Sequence, residues 1–508
     1  MPHSRYSSEP GLAPGSDFLC PRHCLRALLH MSGQFLTLRG ICHMTTISKP
    51  LYHMKLKHFL LPAMVLAILA GCTKDPATTD GGGGNTGENK NEKVELPDGK
   101  KIYIPNELKN NNFQNPDSKW SYHRMAYTDN MVIFWEKGFG SDLGNAPALN
   151  GHNMNVDLDN LKQKLETFYD YYYNDLEFVK GKSKCDSYRM MVMINYSLEG
   201  TAYGGTYDNF IGALWVAPNR IQDKNLNCIA HELGHCFQLQ IIADGQGDAW
   251  GGSGFYEMTS QWMLWHVNPN WTSDELYHWE AFKTLTHKAF LHLDNIYHSP
   301  YVIEYWSMTH GLPLIAELYR KGAIGEDPVN TYKRLNSMDQ ERFCDEMFDA
   351  CCHVVNLDYP RVWDQTRKLA SDFSSWAHTE DADGWCAVTA DNCPENYGFN
   401  VIPLTVPSEG ETLKVEFRGE AGKEGFVNQM TKSAGWRYGL VTLDNEGKVS
   451  YEDTHSDTEG SFEYTVGSGV SKIWLVVMGA PTSHWMLRDN AESAQWPYSV
   501  RFSGTRPA

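Results

Sequence analysis

The sequence predicts an α+β protein: a sheet-forming N-terminal lobe, an α-helical middle and an all-β C-terminal sandwich. Three observations lead there. Apolar runs of strand length occur before residue 217, apolar residues take 3/4 spacing from about 229 to 348, and the period switches to two from about 400. The chain has 508 residues, of which 42% are hydrophobic and 12% aromatic, so it can fill two or more cores. We expect one folded domain over residues 99–398 and the sandwich over 399–508.

Ahead of these lies a leader. Met54-Lys-Leu-Lys57 is a basic start, and Phe59 to Leu69 is an apolar run too short for a bilayer span. Leu69-Ala-Gly-Cys72 resembles a bacterial lipobox, so residues 54–72 read as a lipoprotein signal peptide that leaves a lipidated Cys72. Residues 73–98, with four consecutive glycines and many Asn, read as a flexible tether. Residues 1–53 have no place in such a precursor and read as an upstream or unstructured extension. The expected product is an exported lipoprotein of a Gram-negative outer membrane, with the cell surface and the periplasm as its two alternative faces. Removing residues 1–72 takes away seven Lys/Arg and two Asp/Glu, so the formal charge of -18 becomes about -23 and nucleic acid is a poor partner.

In the first domain, Asn130 to Trp135 is a strand, Leu158, Leu161, Leu165, Phe168, Tyr172 and Leu176 mark an amphipathic helix, and Tyr188 to Asn195 is a second strand. Ile211 to Val216 is a third. The next helix carries His231-Glu232-Leu-Gly-His235. Two imidazoles four residues apart share a helix face and can reach one ion, while the carboxylate between them stands beside it, placed to take a proton from bound water. Ile229, Leu233, Phe237 and Ile241 fall on the opposite side, as a buried back requires. A glycine-rich turn through Gly254 ends this helix, and a second opens at Phe255 with Glu257 in its first turn. A carboxylate from that helix completes a two-His, one-Glu set for Zn2+. Asp244, Asp248 and His266 are rival third ligands.

His231, Glu232, His235 and Glu257 resemble the site of gluzincin zinc metallopeptidases. Their order, the loop between them and the aromatic second helix are similar to an uncharacterised family of secreted Bacteroidota lipoproteins. The resemblance implies a zincin-like catalytic domain, a twisted sheet lobe plus a helical lobe, that hydrolyses protein or glycoprotein substrates with Glu232 as general base. It also implies that Ile211 to Val216 is the sheet edge above the cleft. The chain departs from such enzymes in carrying Gln261 four residues after Glu257, where they often hold an Asp that supports a zinc histidine. Gly234 also satisfies the His-Glu-x-Gly-His of a mucin-directed group, but Tyr256-Glu257-Met258-Thr259 differs from that group's following motif.

Downstream, helices are expected over Leu276 to Lys288, Tyr301 to His310, Leu314 to Arg320 and Val329 to Phe348. An oxyanion donor should come from this half, with Tyr305 and His310 as catalytic candidates and Tyr301 in reserve. Strands at Leu413 to Phe417, Trp436 to Leu443, Ser461 to Tyr464, Ile473 to Met478 and Tyr498 to Phe502 make the sandwich. Trp474, Trp485 and Trp496 are candidates for a sugar-stacking platform, and Cys386 with Cys393 for a disulfide loop. Cys351 and Cys352 read as buried thiols. The competing function is a catalytically inactive surface binder of glycan or protein. Gly251-Gly-Ser253-Gly-Phe255 lacks the final glycine of a serine-hydrolase nucleophile elbow. The oligomeric state does not follow from the sequence.

Overall fold

Apolar strands of five residues, Met131–Trp135 (β2) and Met190–Ile194 (β3), are buried at every position, which places them at the centre of a sheet covered on both faces. A computed structural model describes residues 94–247, 250, 254–369, 373–487 and 493–508, all within one compact unit, Gly87–Ala508. The expected leader, Cys72 and most of the expected tether lie outside the described residues. At the near end of the tether the chain is already tied in: Val94 N–H donates to Gln114 Oε1 at 3.1 Å, and Arg189 Nη2 donates to the carbonyl of Asp98 at 2.9 Å. Among the described residues no helix is long and apolar enough to cross a membrane.

The first sheet has strand order β1-β2-β3-β5-β4, with β1 Met125–Tyr127, β4 Ala202–Tyr207 and β5 Ile211–Val216. Strands β2, β3 and β5 run parallel, while β1 and β4 are antiparallel to their neighbours. This corrects one expectation: β5 is an interior strand, and the edge beside the motif helix is β4. Its Tyr-Gly-Gly-Thr stretch carries little of the apolar signal by which strands are read.

Helix α1 (Leu158–Asn174) and the motif helix α2 (Asn227–Ala243) follow, with α2 packed on β4 and β5. Helices α3 (Phe255–Val267), α4 (Trp271–Asp274), α5 (Leu276–Leu285), α6 (Tyr301–His310) and α7 (Pro313–Lys321) build the helical lobe. The long helix expected over Val329 to Phe348 is two, α8 (Pro328–Leu335) and α9 (Gln340–Asn356). The break falls where Ser337 takes positive φ and Asp339 caps the N–H of Arg342. A short α10 (Trp363–Thr366) closes the lobe.

Two antiparallel sheets then face each other. One has order β11-β10-β13-β8, from β8 (Phe399–Leu404), β10 (Trp436–Asp444), β11 (Val449–Tyr451) and β13 (Val470–Gly479). The other has order β12-β9-β14-β7-β6, from β6 (His378–Glu380), β7 (Cys386–Val388), β9 (Thr412–Gly419), β12 (Glu459–Thr465) and β14 (Tyr498–Ser503). Because β6 and β7 belong to this sheet, the sandwich starts before residue 399. Strand β13 is buried on both sides: Ile473, Leu475 and Val477 enter the sandwich core, while Trp474, Val476 and Met478 join the core of the helical lobe.

That packing removes the sugar platform. Trp474 and Trp496 are buried, Trp474 donating to the carbonyl of Phe373 at 3.1 Å, and Trp485 packs against Trp496. Cys386 and Cys393 are separate buried thiols and form no disulfide, while Cys351 and Cys352 are buried thiols as read from the sequence.

Candidate metal centre

Leu226, in the left-handed region at φ 54°, turns the chain off the sheet into α2. The carbonyl of Glu232 then lies so close over Gly204 of β4 that a Cβ there would stand 1.9 Å from it, which fixes the motif helix directly against the edge strand. On the other side, α3 crosses at Gly234. A Cβ at Gly234 would meet Ser260 Oγ at 2.5 Å, and that hydroxyl donates to the carbonyl of His231. The glycine of the motif thus has a packing reason of its own: it lets α3 come near enough for Glu257 to reach the histidines.

Three ligand-type atoms converge there. His231 Nε2 and His235 Nε2 are 3.1 Å apart, and Glu257 Oε2 is 3.0 Å from the first and 3.1 Å from the second. Tetrahedral zinc at its usual Zn–N distances sets ligand atoms about 3.3 Å apart, so an ion above this triangle requires only a few tenths of an ångström of opening. The side chains are 12%, 13% and 26% exposed, leaving a fourth direction toward solvent. Among the described residues this is the one group of three or more His, Cys, Asp or Glu side chains close enough to hold a metal ion. Burial works against a charged imidazole at His235, but Glu257, with a smaller contribution from Glu232, more than reverses it and carries the ring up to about 9. Burial likewise opposes the Glu257 carboxylate, and the two histidines facing it hold it well below the usual range. A cation is what this arrangement of atoms favours.

Around the trio, His231 Nδ1 is 2.9 Å from Gln261 Oε1 and His235 Nδ1 is 2.9 Å from Gln238 Oε1. Gln261 therefore contacts a candidate ligand histidine just as an acidic residue at that position would. Gln238, three residues after His235 on the same helix, is the partner that sequence reasoning missed. Glu232 is partly exposed, and its carboxylate has no hydrogen-bond partner among the described residues.

The rival ligands are engaged elsewhere. Asp244 accepts from Ser183 Oγ at 2.6 Å, the N–H of Lys184 at 3.0 Å and Gln240 Nε2 at 2.9 Å, at the far end of α2. His266 lies between Tyr171 and the buried Glu304. Asp248 and Ser253 are outside the described residues. Tyr305 and His310 are not brought to the trio in the contacts of this structure. Tyr305 donates to Asp349 and His310 bonds Glu346 at 2.9 Å, both on α9. Tyr301 is buried against Trp265, Trp279 and Phe282. Two other tyrosines flank the site: Tyr297, whose ring lies 6.2 Å from that of His231, and Tyr203, 51% exposed on β4. Burial, then Cys236, then Glu232 raise the phenol of Tyr203, which puts it within electrostatic reach of the proposed base.

A single family model matches residues 95–508, nearly all of the described structure and both halves of it. The chain belongs to that family, a family of unknown function (DUF6055). No curated protein matches. Among solved structures, a chain in the crystal structure of accessory secretory protein 1,2 and 3 in Streptococcus pneumoniae aligns with 26% of this chain and 85% of its own length. The identity is 7% and the TM-score 0.16, too low to bear on fold or function. The extent of the DUF6055 match treats the helical lobe and the sandwich as one inherited unit.

Proposed function

We propose that this chain is a zinc-dependent hydrolase of gluzincin type, cleaving peptide bonds in protein or glycoprotein substrates, exported and anchored at the outer membrane through lipid on Cys72. The observation that carries the reading is the convergence of His231, His235 and Glu257 within hydrogen-bond distance of one another, with the unpartnered carboxylate of Glu232 beside them on the same helix. A zinc ion held there would polarise both a water molecule and the scissile carbonyl. Glu232 takes the water's proton and passes it to the leaving amine, a task suited to a carboxylate that no neighbour holds. Strand β4 offers one unpaired edge, along which an extended substrate backbone can pair. The oxyanion donor is sought in Tyr203 and Tyr297, which flank the trio.

Metal analysis of the purified ectodomain together with cleavage of a peptide library tests this reading. About one zinc per chain is expected, lost in the His231→Ala, His235→Ala double variant, and Glu232→Gln should keep zinc while losing turnover by several orders of magnitude. Zinc retained without both histidines moves the metal elsewhere. Wild-type protein that binds zinc but cleaves nothing supports a non-catalytic binder.

A further inference from the structure

We propose that Gln238 and Gln261 are positioning residues that lock His235 and His231 in the one imidazole tautomer able to ligate a metal. The proposal rests on the metal reading above and deepens it. Gln238 Nε2 donates to the carbonyl of Tyr256 at 2.9 Å, and Gln261 Nε2 donates to the carbonyl of Tyr297 at 2.8 Å. A backbone carbonyl can only accept, so it decides which end of each amide is nitrogen. The oxygen ends are thereby turned to the two Nδ1 atoms at 2.9 Å. An amide oxygen also only accepts, so each Nδ1 must carry the proton. The neutral ring then presents a bare Nε2, and both bare nitrogens face the point that Glu257 Oε2 faces.

Burial makes the lock firm. Gln238 is fully buried and Gln261 is 4% exposed, so neither amide can rotate and hand its bonds to water. Each lock is anchored on backbone outside α2: Tyr256 adjoins the ligand Glu257, and Tyr297 lies in the segment between α5 and α6. The ligand rings are therefore oriented by neutral groups, which add no negative charge to those of Glu257 and the neighbouring Glu232.

Gln240 supplies an internal control. It is as buried as Gln238 and stands on the same helix, accepting from the N–H of Gly212 at 2.8 Å and donating to the carbonyl of Phe210 at 3.1 Å, but it touches no ligand. Zinc affinity would be measured by chelator competition for the wild type, Gln238→Met, Gln261→Met and Gln240→Met. Nitrogen-15 NMR of the ligand imidazoles would be recorded on the metal-free proteins at alkaline pH. The two lock variants should each bind zinc about 10- to 100-fold more weakly, and the freed ring should populate the Nε2–H form. Gln240→Met should lower thermal stability and leave zinc affinity unchanged. Gln261→Glu keeps an oxygen toward Nδ1 and should retain the Nδ1–H tautomer, so it decides the question if a methionine variant fails to fold. Unchanged tautomers and unchanged affinity in both lock variants overturn the proposal. A wild type that binds no zinc but shows both Nδ1–H tautomers overturns the metal reading and leaves the lock standing.

Discussion

Replacing Gly204 by alanine tests the close approach of β4 to α2. The added Cβ would stand 1.9 Å from the carbonyl oxygen of Glu232, 2.7 Å from its carbon and 3.0 Å from its Cα, all backbone atoms that cannot swing aside. Contacts under 3.0 Å are essentially never tolerated, so strand and helix must part by roughly 1 Å. Overpacking of a well-filled interior costs about 1–3 kcal/mol, and a backbone obstacle puts Gly204→Ala at the top of that range. At Gly205 the nearest atoms a new Cβ meets belong to the ring of Tyr203, from 3.0 Å, and that ring is half exposed rather than fixed backbone. Gly205→Ala should therefore cost less than about 1 kcal/mol. Urea unfolding followed by tryptophan fluorescence reads the difference, expected as a midpoint lowered by about 1 M for Gly204→Ala and little changed for Gly205→Ala. Equal midpoints for the two variants would refute the argument that β4 seats the motif helix.

Four further outcomes follow from the same structure. Glu304 is buried and accepts from Arg361, His266 and Trp262, so Arg361→Met should destabilise by about 3–5 kcal/mol in thermal or urea melts, leaving a carboxylate without its cation. Burial opposes the charge on Glu304, but His266 and Arg361 hold its carboxyl down at about 2. The stability this contributes is present above the unfolded carboxyl's range and is lost as pH falls toward 2, so Glu304→Gln should flatten the acid limb of a pH–stability profile. Tyr305→Phe and His310→Ala should leave zinc content and peptide cleavage unchanged, whereas Tyr203→Phe or Tyr297→Phe should lower kcat by about 10²- to 10³-fold in a steady-state assay. Cys72→Ser should release the protein from membranes on fractionation, and intact cells treated with protease should lose the ectodomain if it faces outward.

Most of what was legible in the sequence came from periodicity. The 3/4 spacing through α1, α2 and α6 gave those helices close to their bounds, and the motif with Glu257 gave the trio that the structure draws together. Periodicity says which face of a helix is buried but not against which neighbour. Tyr305 and His310 were therefore read as candidates for the site, whereas the hydrogen-bond partners this structure gives them lie on α9. Strand β4 escaped notice because close packing against α2 demands glycine where a strand signal would need bulk. The tryptophans of β13 and its neighbours looked available for sugar, since nothing in a sequence tells whether a second layer covers the outer face of a sheet. Gln238 carried a readable sign, its position one turn after His235, but glutamine has no charge to advertise a role.

The doubly buried β13 bears on how this protein can be divided. Its odd-numbered residues Ile473, Leu475 and Val477 belong to the sandwich, and its alternate Trp474, Val476 and Met478 belong to the helices. A cut between the two halves would bare a wall of Trp474, Val476 and Met478 on one product and leave α9 without a cover on the other, an invitation to aggregation rather than to two working modules. The C-terminal part is thus not an appendage that could be exchanged for another domain. It is a supporting wall of the lobe that carries His231, His235 and Glu257.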